Sequence, residues 1–89
     1  MEIESLPEWL TAIGVPPELV YIGEAVEERW CVVSHPDGVE VFWLEQGNRY
    51  DWALFAEAQV AAFYLFGRLS WSQVVRGTLV PLTEKSDAV

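Results

Sequence analysis

The first quarter of the chain shows a helical pattern followed by a short extended one. Apolar residues recur at helical spacing between Leu6 and Ile13, behind a Ser-x-x-Glu sequence that is typical of a helix start. This spacing predicts a short helix over 5–13, and the glycine and two prolines that follow it are typical of a helix end. Residues 18–22 then predict a short strand.

Two apolar runs rich in β-branched and aromatic residues come next. They cover 29–34 and 39–45, and the His-Pro-Asp-Gly sequence over 35–38 fits a type I turn between them. We therefore expect an antiparallel hairpin, with apolar residues on both of its faces, so that both faces need cover. A glycine turn at 46–48 and a last short strand over 49–52 complete the predicted sheet.

The second half of the chain predicts one long helix and one short helix. No Gly or Pro interrupts the pattern over 53–68 before Gly67, and apolar residues lie on nearly all sides of this helix. Such a helix is either covered on both sides by other elements or contacts another chain. A second Ser-x-x-Gln capping sequence predicts a separate short helix over 71–76, and residues 83–89 are expected to form a tail.

The order of these elements predicts an α+β fold. We expect a small antiparallel sheet of three to four strands, with an N-terminal helix and a C-terminal helix pair packed on it. A length of 89 residues suits a single domain. Its ordered core is predicted to cover 5–82.

Charge is distributed unevenly along this predicted fold. The chain has 14 acidic and 5 basic residues, a net charge of −9, and the acidic excess lies in the first half. Residues 1–28 contain seven Glu and neither Lys nor Arg, whereas residues 49–89 are neutral. This balance argues against binding to nucleic-acid phosphates and to anionic membranes. It can steer a basic partner, or it can serve only to keep a small domain soluble.

Few residues offer catalytic or metal-binding chemistry. The single Cys31 and single His35 exclude an internal disulfide and a Cys/His zinc site. Cys31 lies within an apolar strand, where a thiol is expected to be inert, and the carboxylates show no pattern that would bring a pair together across a cleft. We therefore expect no enzyme activity, cofactor or metal. Without a signal-peptide pattern or an apolar run long enough to span a bilayer, we expect a cytoplasmic protein.

Aromatic residues indicate a protein partner instead. Aromatics make up 13 % of the chain and five of them are Trp, more than a small core readily buries. Trp and Tyr are enriched at protein interfaces. The predicted partner-binding residues combine two Trp with nearby acids: Glu24, Glu27, Glu28, Asp37, Glu40, Trp43, Glu45 and Trp52. The alternative is a structural or regulatory subunit, or a homodimer, that docks through the apolar helix around Val60, Phe63 and Tyr64.

One stretch of the sequence resembles a known family. The segment Glu45-Gln-Gly-Asn-Arg-Tyr-Asp is followed by Phe55-x-Glu and by Ala62-x-Tyr-x-x-x-Arg-Leu. This pattern is similar to that of small actinobacterial immunity proteins, which protect cells from their own polymorphic or secreted toxins. The nearest group is the immunity-factor family of the tuberculosis necrotising toxin, an NAD glycohydrolase. The resemblance covers about 18–76, with Gln46 in place of the family's arginine.

The resemblance implies a function without catalysis. Immunity proteins of this kind bind one toxin tightly and block its active site. In such a complex, carboxylates of this chain would occupy positions that substrate phosphates take in a basic toxin cleft. The acidic residues of the first half, with Asp37 and Glu40, are the ones expected to do so.

Overall fold

The fold is a four-stranded sheet with helices packed on one face. The structure is a computed structural model, and it describes residues 1–80 and 82. Two 3-10 turns, Ile3–Ser5 and Pro17–Leu19, flank the first helix. The helices and strands are α1 (Leu6–Ala12), β1 (Val20–Ile22), β2 (Arg29–His35), β3 (Gly38–Glu45), β4 (Asn48–Phe55) and α2 (Ala58–Val75). The predicted α+β class is confirmed, while the predicted tail over 83–89 lies outside the described residues.

The sheet is mixed, and the prediction of a purely antiparallel sheet is wrong in this respect. Its strands lie in the order β1-β2-β3-β4, with β1 parallel to β2 and the other pairs antiparallel. The cause is the segment 23–28, which runs back along the sheet instead of reversing in a tight turn. Val20 therefore lies opposite Trp30, at the start of both strands.

The predicted first helix exists, but its expected cap does not form. Ser5 already has helical backbone angles as the last residue of a 3-10 turn, so its side chain makes no capping hydrogen bond. α1 ends at Ala12, and Gly14 follows with a φ of 81°, a left-handed conformation typical of a helix end. Of the strand predicted over 18–22, only Val20–Ile22 is extended.

The boundary between β4 and α2 lies further along the chain than predicted. β4 extends to Phe55, which pairs with Val39 of β3, so α2 begins at Ala58 and not at residue 53. An irregularity in this pairing lies between Val41 and Trp43. The sequence over 53–55 suits either element, and the pairing with β3 decides in favour of a strand.

α2 is a single helix, so the prediction of a C-terminal helix pair is wrong. It runs without a break to Val75 through the Ser-Trp-Ser-Gln sequence that resembled a second helix start. Ser70 instead donates from its hydroxyl to the Phe66 carbonyl, at 2.7 Å, one turn earlier in the same helix. No helix of the described residues is long and apolar enough to cross a membrane.

The core lies between the helices and one face of the sheet. It is built from buried side chains of every layer: Leu6, Leu10, Val15, Val20, Trp30, Val32, Val41, Ala61, Leu65 and Leu69. On the opposite face, Cys31 and Phe42 are also buried. The backbone of Val26 covers the thiol, and the Arg49 guanidinium lies 4.7 Å from the Phe42 ring centre. Both faces of the sheet are thus covered. The helices cover one face, and the loop at Val26 and the Arg49 side chain cover the centre of the other.

Candidate protein-binding surface

The outward side of α2 carries a continuous apolar stripe. Val60, Phe63, Trp71 and Val75 leave 47, 52, 66 and 67 % of their surfaces exposed. With the exposed Gly67 between them, they follow one face of the helix at intervals of three and four residues. We call these five residues the α2 stripe.

The stripe faces outward because the other side of α2 is anchored. Leu65 and Leu69 are buried in the core between α2 and the sheet. The buried Gln73 donates from Nε2 to the carbonyls of Ile13 and Gly14, at 3.1 and 3.3 Å. These bonds fix the rotation of α2 against the end of α1. This rotation determines which side chains of α2 are exposed to solvent.

Charge is almost absent from this helix. Arg68 is its single charged residue, and three contacts hold its guanidinium at the side of the stripe. It forms a 3.0 Å ion pair with Asp51, donates to the Tyr64 hydroxyl at 3.1 Å, and lies 5.2 Å from the Trp30 ring centre. An open groove of about 450 Å³ adjoins the stripe at this side, lined by Trp30, Arg68, Leu69, Trp71 and Ser72.

The predicted docking residues on this helix fall partly on the stripe. Val60 and Phe63 belong to it, whereas Tyr64 is half-buried with its ring 4.9 Å from that of Phe55. Trp71 and Val75 were missed because the sequence predicted a separate helix over that segment. The interval of four residues from Gly67 onward was the signal that could have identified them.

Three of the predicted acidic residues gather at one end of the sheet. The Glu27 carboxylate accepts hydrogen bonds from the Gln46 and Gly47 amides, at 2.7 and 2.9 Å. These bonds tie the segment 23–28 to the turn between β3 and β4, so that the exposed Glu28 and Glu45 lie at the same end. We call Glu27, Glu28 and Glu45 the acidic end; the exposed Glu24 belongs to the same connecting segment.

The predicted Trp43 is half-buried at the edge of the core. Its ring packs edge-on against Trp30, with ring centres 6.0 Å apart. Its indole N–H donates to the Glu45 carboxylate at 2.9 Å. Trp43 therefore supports the acidic end while most of its ring contributes to packing.

The remaining predicted residues lie elsewhere. Glu40 is only 7 % exposed and accepts hydrogen bonds from Arg49 and from the Trp52 indole, at 2.9 and 2.8 Å. This cluster lies on the sheet face opposite the helices. Asp37 lies in the turn between β2 and β3, where its amide donates to His35 Nδ1 at 3.0 Å. The eight predicted residues are thus spread over two ends and two faces of the sheet.

Comparisons of the chain with known proteins identified no relative. No protein family, curated protein or solved structure matches the chain. Within residues 1–80 and 82, no group of three or more His, Cys, Asp or Glu side chains could hold a metal ion. The resemblance to immunity proteins stays a prediction, and the surfaces described above are the physical basis for a function.

Proposed function

We propose that this chain is a protein-binding domain without catalytic activity, and that its contact surface is the α2 stripe. One observation carries the proposal: four large apolar side chains stand exposed on one uncharged face of an 18-residue helix. Large exposed apolar patches on small domains are typical of protein interaction sites. A helix with apolar residues on all sides is usually buried, and no other element within the described residues covers the outer side of α2.

The stripe is large enough to bind a partner weakly. Its four side chains leave roughly 400 Å² in water, since a whole aromatic side chain contributes about 150–250 Å². Covering that area contributes about 10 kcal/mol, at about 25 cal/mol per Å². Association costs about 4–15 kcal/mol in lost freedom. The facing surface of the partner contributes about 10 kcal/mol more. The surplus then brackets the roughly 8 kcal/mol that a micromolar affinity requires.

The test compares three immobilised proteins: the wild type, a Trp71→Gln Val75→Gln variant, and a Tyr21→Gln control. Tyr21 is also an exposed aromatic but lies on β1, away from the stripe. A protein retained from native lysate by wild type and control, but lost by the stripe variant, is then purified and titrated by calorimetry. We expect its affinity for the stripe variant to fall at least about tenfold. Equal affinity for all three proteins would refute the proposal.

A more specific candidate function is neutralisation of a basic toxin, as the resemblance implies. The observation that favours it is the acidic end, where the hydrogen bonds that Glu27 accepts from the Gln46 and Gly47 amides bring Glu28 and Glu45 to the same end of the sheet. Carboxylates at an exposed end can enter a basic cleft and steer association. This contact would leave the α2 stripe available to another chain.

The toxin hypothesis is tested by charge reversal that leaves the turn intact. Glu24→Lys with Glu28→Lys changes the charge near the acidic end while Glu27 keeps its bonds to the turn. Glu2→Lys with Glu4→Lys changes the net charge equally and serves as the control. With a toxin encoded beside this gene as the probe, we expect slower association and a weaker salt dependence for the first pair alone. Identical association rates for both pairs would refute steering by the acidic end.

A further inference from the structure

Among residues 1–80 and 82 of one copy, no contact explains why a glycine stands at position 67. It lies in the interior of α2, where glycine lowers helix stability relative to alanine. Its backbone is helical, and a Cβ added to it would meet no atom within 4 Å. An alanine would therefore fit without strain. The position is explained if another backbone comes close to this point of the helix.

The two aromatic side chains of the α2 stripe are placed symmetrically about this glycine. Phe63 and Trp71 lie four residues before and after it. Val60 lies seven residues before it, the half-buried Val74 seven residues after it, and the stripe residue Val75 eight residues after it. In a two-fold symmetric antiparallel pair of helices, each residue meets its mirror position on the other copy. Phe63 would then meet Trp71 of the second copy, and the two glycines would face each other.

We infer that the α2 stripe is occupied by a second copy of this chain, packed antiparallel so that the two helices cross at Gly67. The inference rests on the proposed function, because it names the protein that the stripe binds. Two glycines at the crossing let the helix axes approach to about 8–10 Å or closer. The large side chains on either side of the crossing then interlock.

Area and charge both fit this occupant. Two stripes with their flanking side chains would bury roughly 1,000 Å² in total, near the lower limit for a specific interface. The chain carries a net charge of −9, but none of its acidic residues lies within α2. Contact through the stripe therefore brings no acidic side chain of α2 into the interface, and Asp51 at its side is already paired with Arg68. The net charges still repel at long range, so the dimer should tighten as salt is added.

Sedimentation equilibrium of the wild type, Gly67→Ala and Tyr21→Gln across the micromolar range tests the pairing. We expect a concentration-dependent dimer for the wild type and the Tyr21 control. Gly67→Ala should raise the thermal midpoint of the dilute monomer, because alanine favours the helix. The same change should weaken the dimer about tenfold, because its methyl group separates the helices. If Gly67→Ala instead destabilised the fold in general, its thermal midpoint would fall. A wild type that stays monomeric over the whole concentration range overturns the inference.

Cysteine pairing tests the direction of the helices. Phe63→Cys and Trp71→Cys variants are mixed under mild oxidation, and the native Cys31 does not interfere because it is buried. We expect a disulfide between the two different variants and little within either variant alone. Efficient self-linkage of each variant would show a parallel arrangement and overturn the inference. If the wild type is monomeric and retains a lysate partner that the Trp71→Gln Val75→Gln variant loses, self-pairing alone is refuted. If the wild type is monomeric and retains no such partner, the proposed function is refuted as well.

Discussion

Glu40 is a buried carboxylate on the sheet face opposite the helices, and two donors share one of its oxygens. Arg49 supplies the charge and Trp52 supplies an indole N–H, both to Oε1. A buried carboxylate that loses a donor keeps its desolvation cost without the compensating bond. Trp52 therefore has a structural role as a hydrogen-bond donor, and the partner-binding role that the sequence predicted for it stays a prediction.

This role predicts a specific cost for Trp52→Phe. We expect the free energy of unfolding in urea to fall by about 1–2 kcal/mol, because the buried carboxylate loses one donor. Trp9→Phe is the matched control: Trp9 is 51 % exposed against 48 % for Trp52, and it packs on Phe66. A similar loss for both variants would show that ring size, and not the hydrogen bond, is responsible.

Cys31 predicts a pH dependence of stability. Burial raises the pKa of its thiol above the ordinary 9.0, and the hydrogen bond from the Val26 amide opposes this shift only in part. The folded state thus holds the thiol proton more tightly than the unfolded state. The resulting contribution to stability is complete below about pH 9 and is lost as the pH rises towards the folded pKa.

We expect the urea midpoint of the wild type to fall between about pH 8 and about pH 10 by more than that of Cys31→Ala. The comparison between the two proteins removes the common contribution of the tyrosines, which also titrate near pH 10. In the folded wild type at about pH 8, the thiol should resist a disulfide reagent until urea unfolds the chain. Equal pH dependence in both proteins would contradict a raised thiol pKa.

At the scale of elements, the two hairpins show which structural features can be predicted from local sequence. The first hairpin forms as predicted, because its turn chemistry and its apolar runs agree. In the second, Gln46 and Gly47 both have positive φ, 52° and 78°, as a two-residue hairpin turn requires. The length of β4 was not predictable from its own residues, since Ala53, Leu54 and Phe55 also suit a helix and only their pairing with β3 makes them a strand.

The first hairpin depends on Gly38 for a reason that the sequence alone does not show. Its φ is 147°, and a Cβ added there would lie 2.0 Å from the Phe55 carbonyl oxygen. Gly38→Ala should therefore lower the free energy of unfolding by at least about 2 kcal/mol, from backbone strain and a clash with the main chain. Gly23→Ala separates the two causes, since Gly23 has a φ of 123° with no atom near its Cβ position. A smaller loss is expected there, and an equal loss in urea unfolding would exclude the clash.

At the scale of the whole molecule, net charge opposes folding as well as association. The described residues form two ion pairs, Arg49 with Glu40 and Arg68 with Asp51, so most acidic side chains have no cation beside them. Their mutual repulsion is weaker in the expanded chain. Salt should therefore stabilise this protein.

We expect the urea midpoint of dilute protein to rise when NaCl increases from about 10 mM to about 500 mM, as the Debye length falls from about 30 Å to a few Å. The effect on the free energy of unfolding should be on the order of 1 kcal/mol. Replacing the exposed Glu2, Glu4 and Glu8 by Gln should reduce it, because these residues carry part of the acidic excess. A midpoint that falls with salt would show that attractive pairs dominate.

The sequence by itself determined the fold class, the hairpin, and a long helix with apolar residues on nearly every side. These features follow from local periodicity and turn chemistry, which neighbouring residues fix among themselves. They already required that other elements cover both sides of this helix or that it contact another chain. The family resemblance and the toxin partner remain predictions.

Only the tertiary structure decided which surfaces remain in water. The bonds from Gln73 to the end of α1 set the rotation of α2 and expose the stripe centred on Gly67. The carboxylate of Glu27 joins two distant segments into the acidic end, while Glu40 is withdrawn into the sheet. Each outcome depends on contacts between residues far apart in the chain, whose positions become known only once all layers are packed.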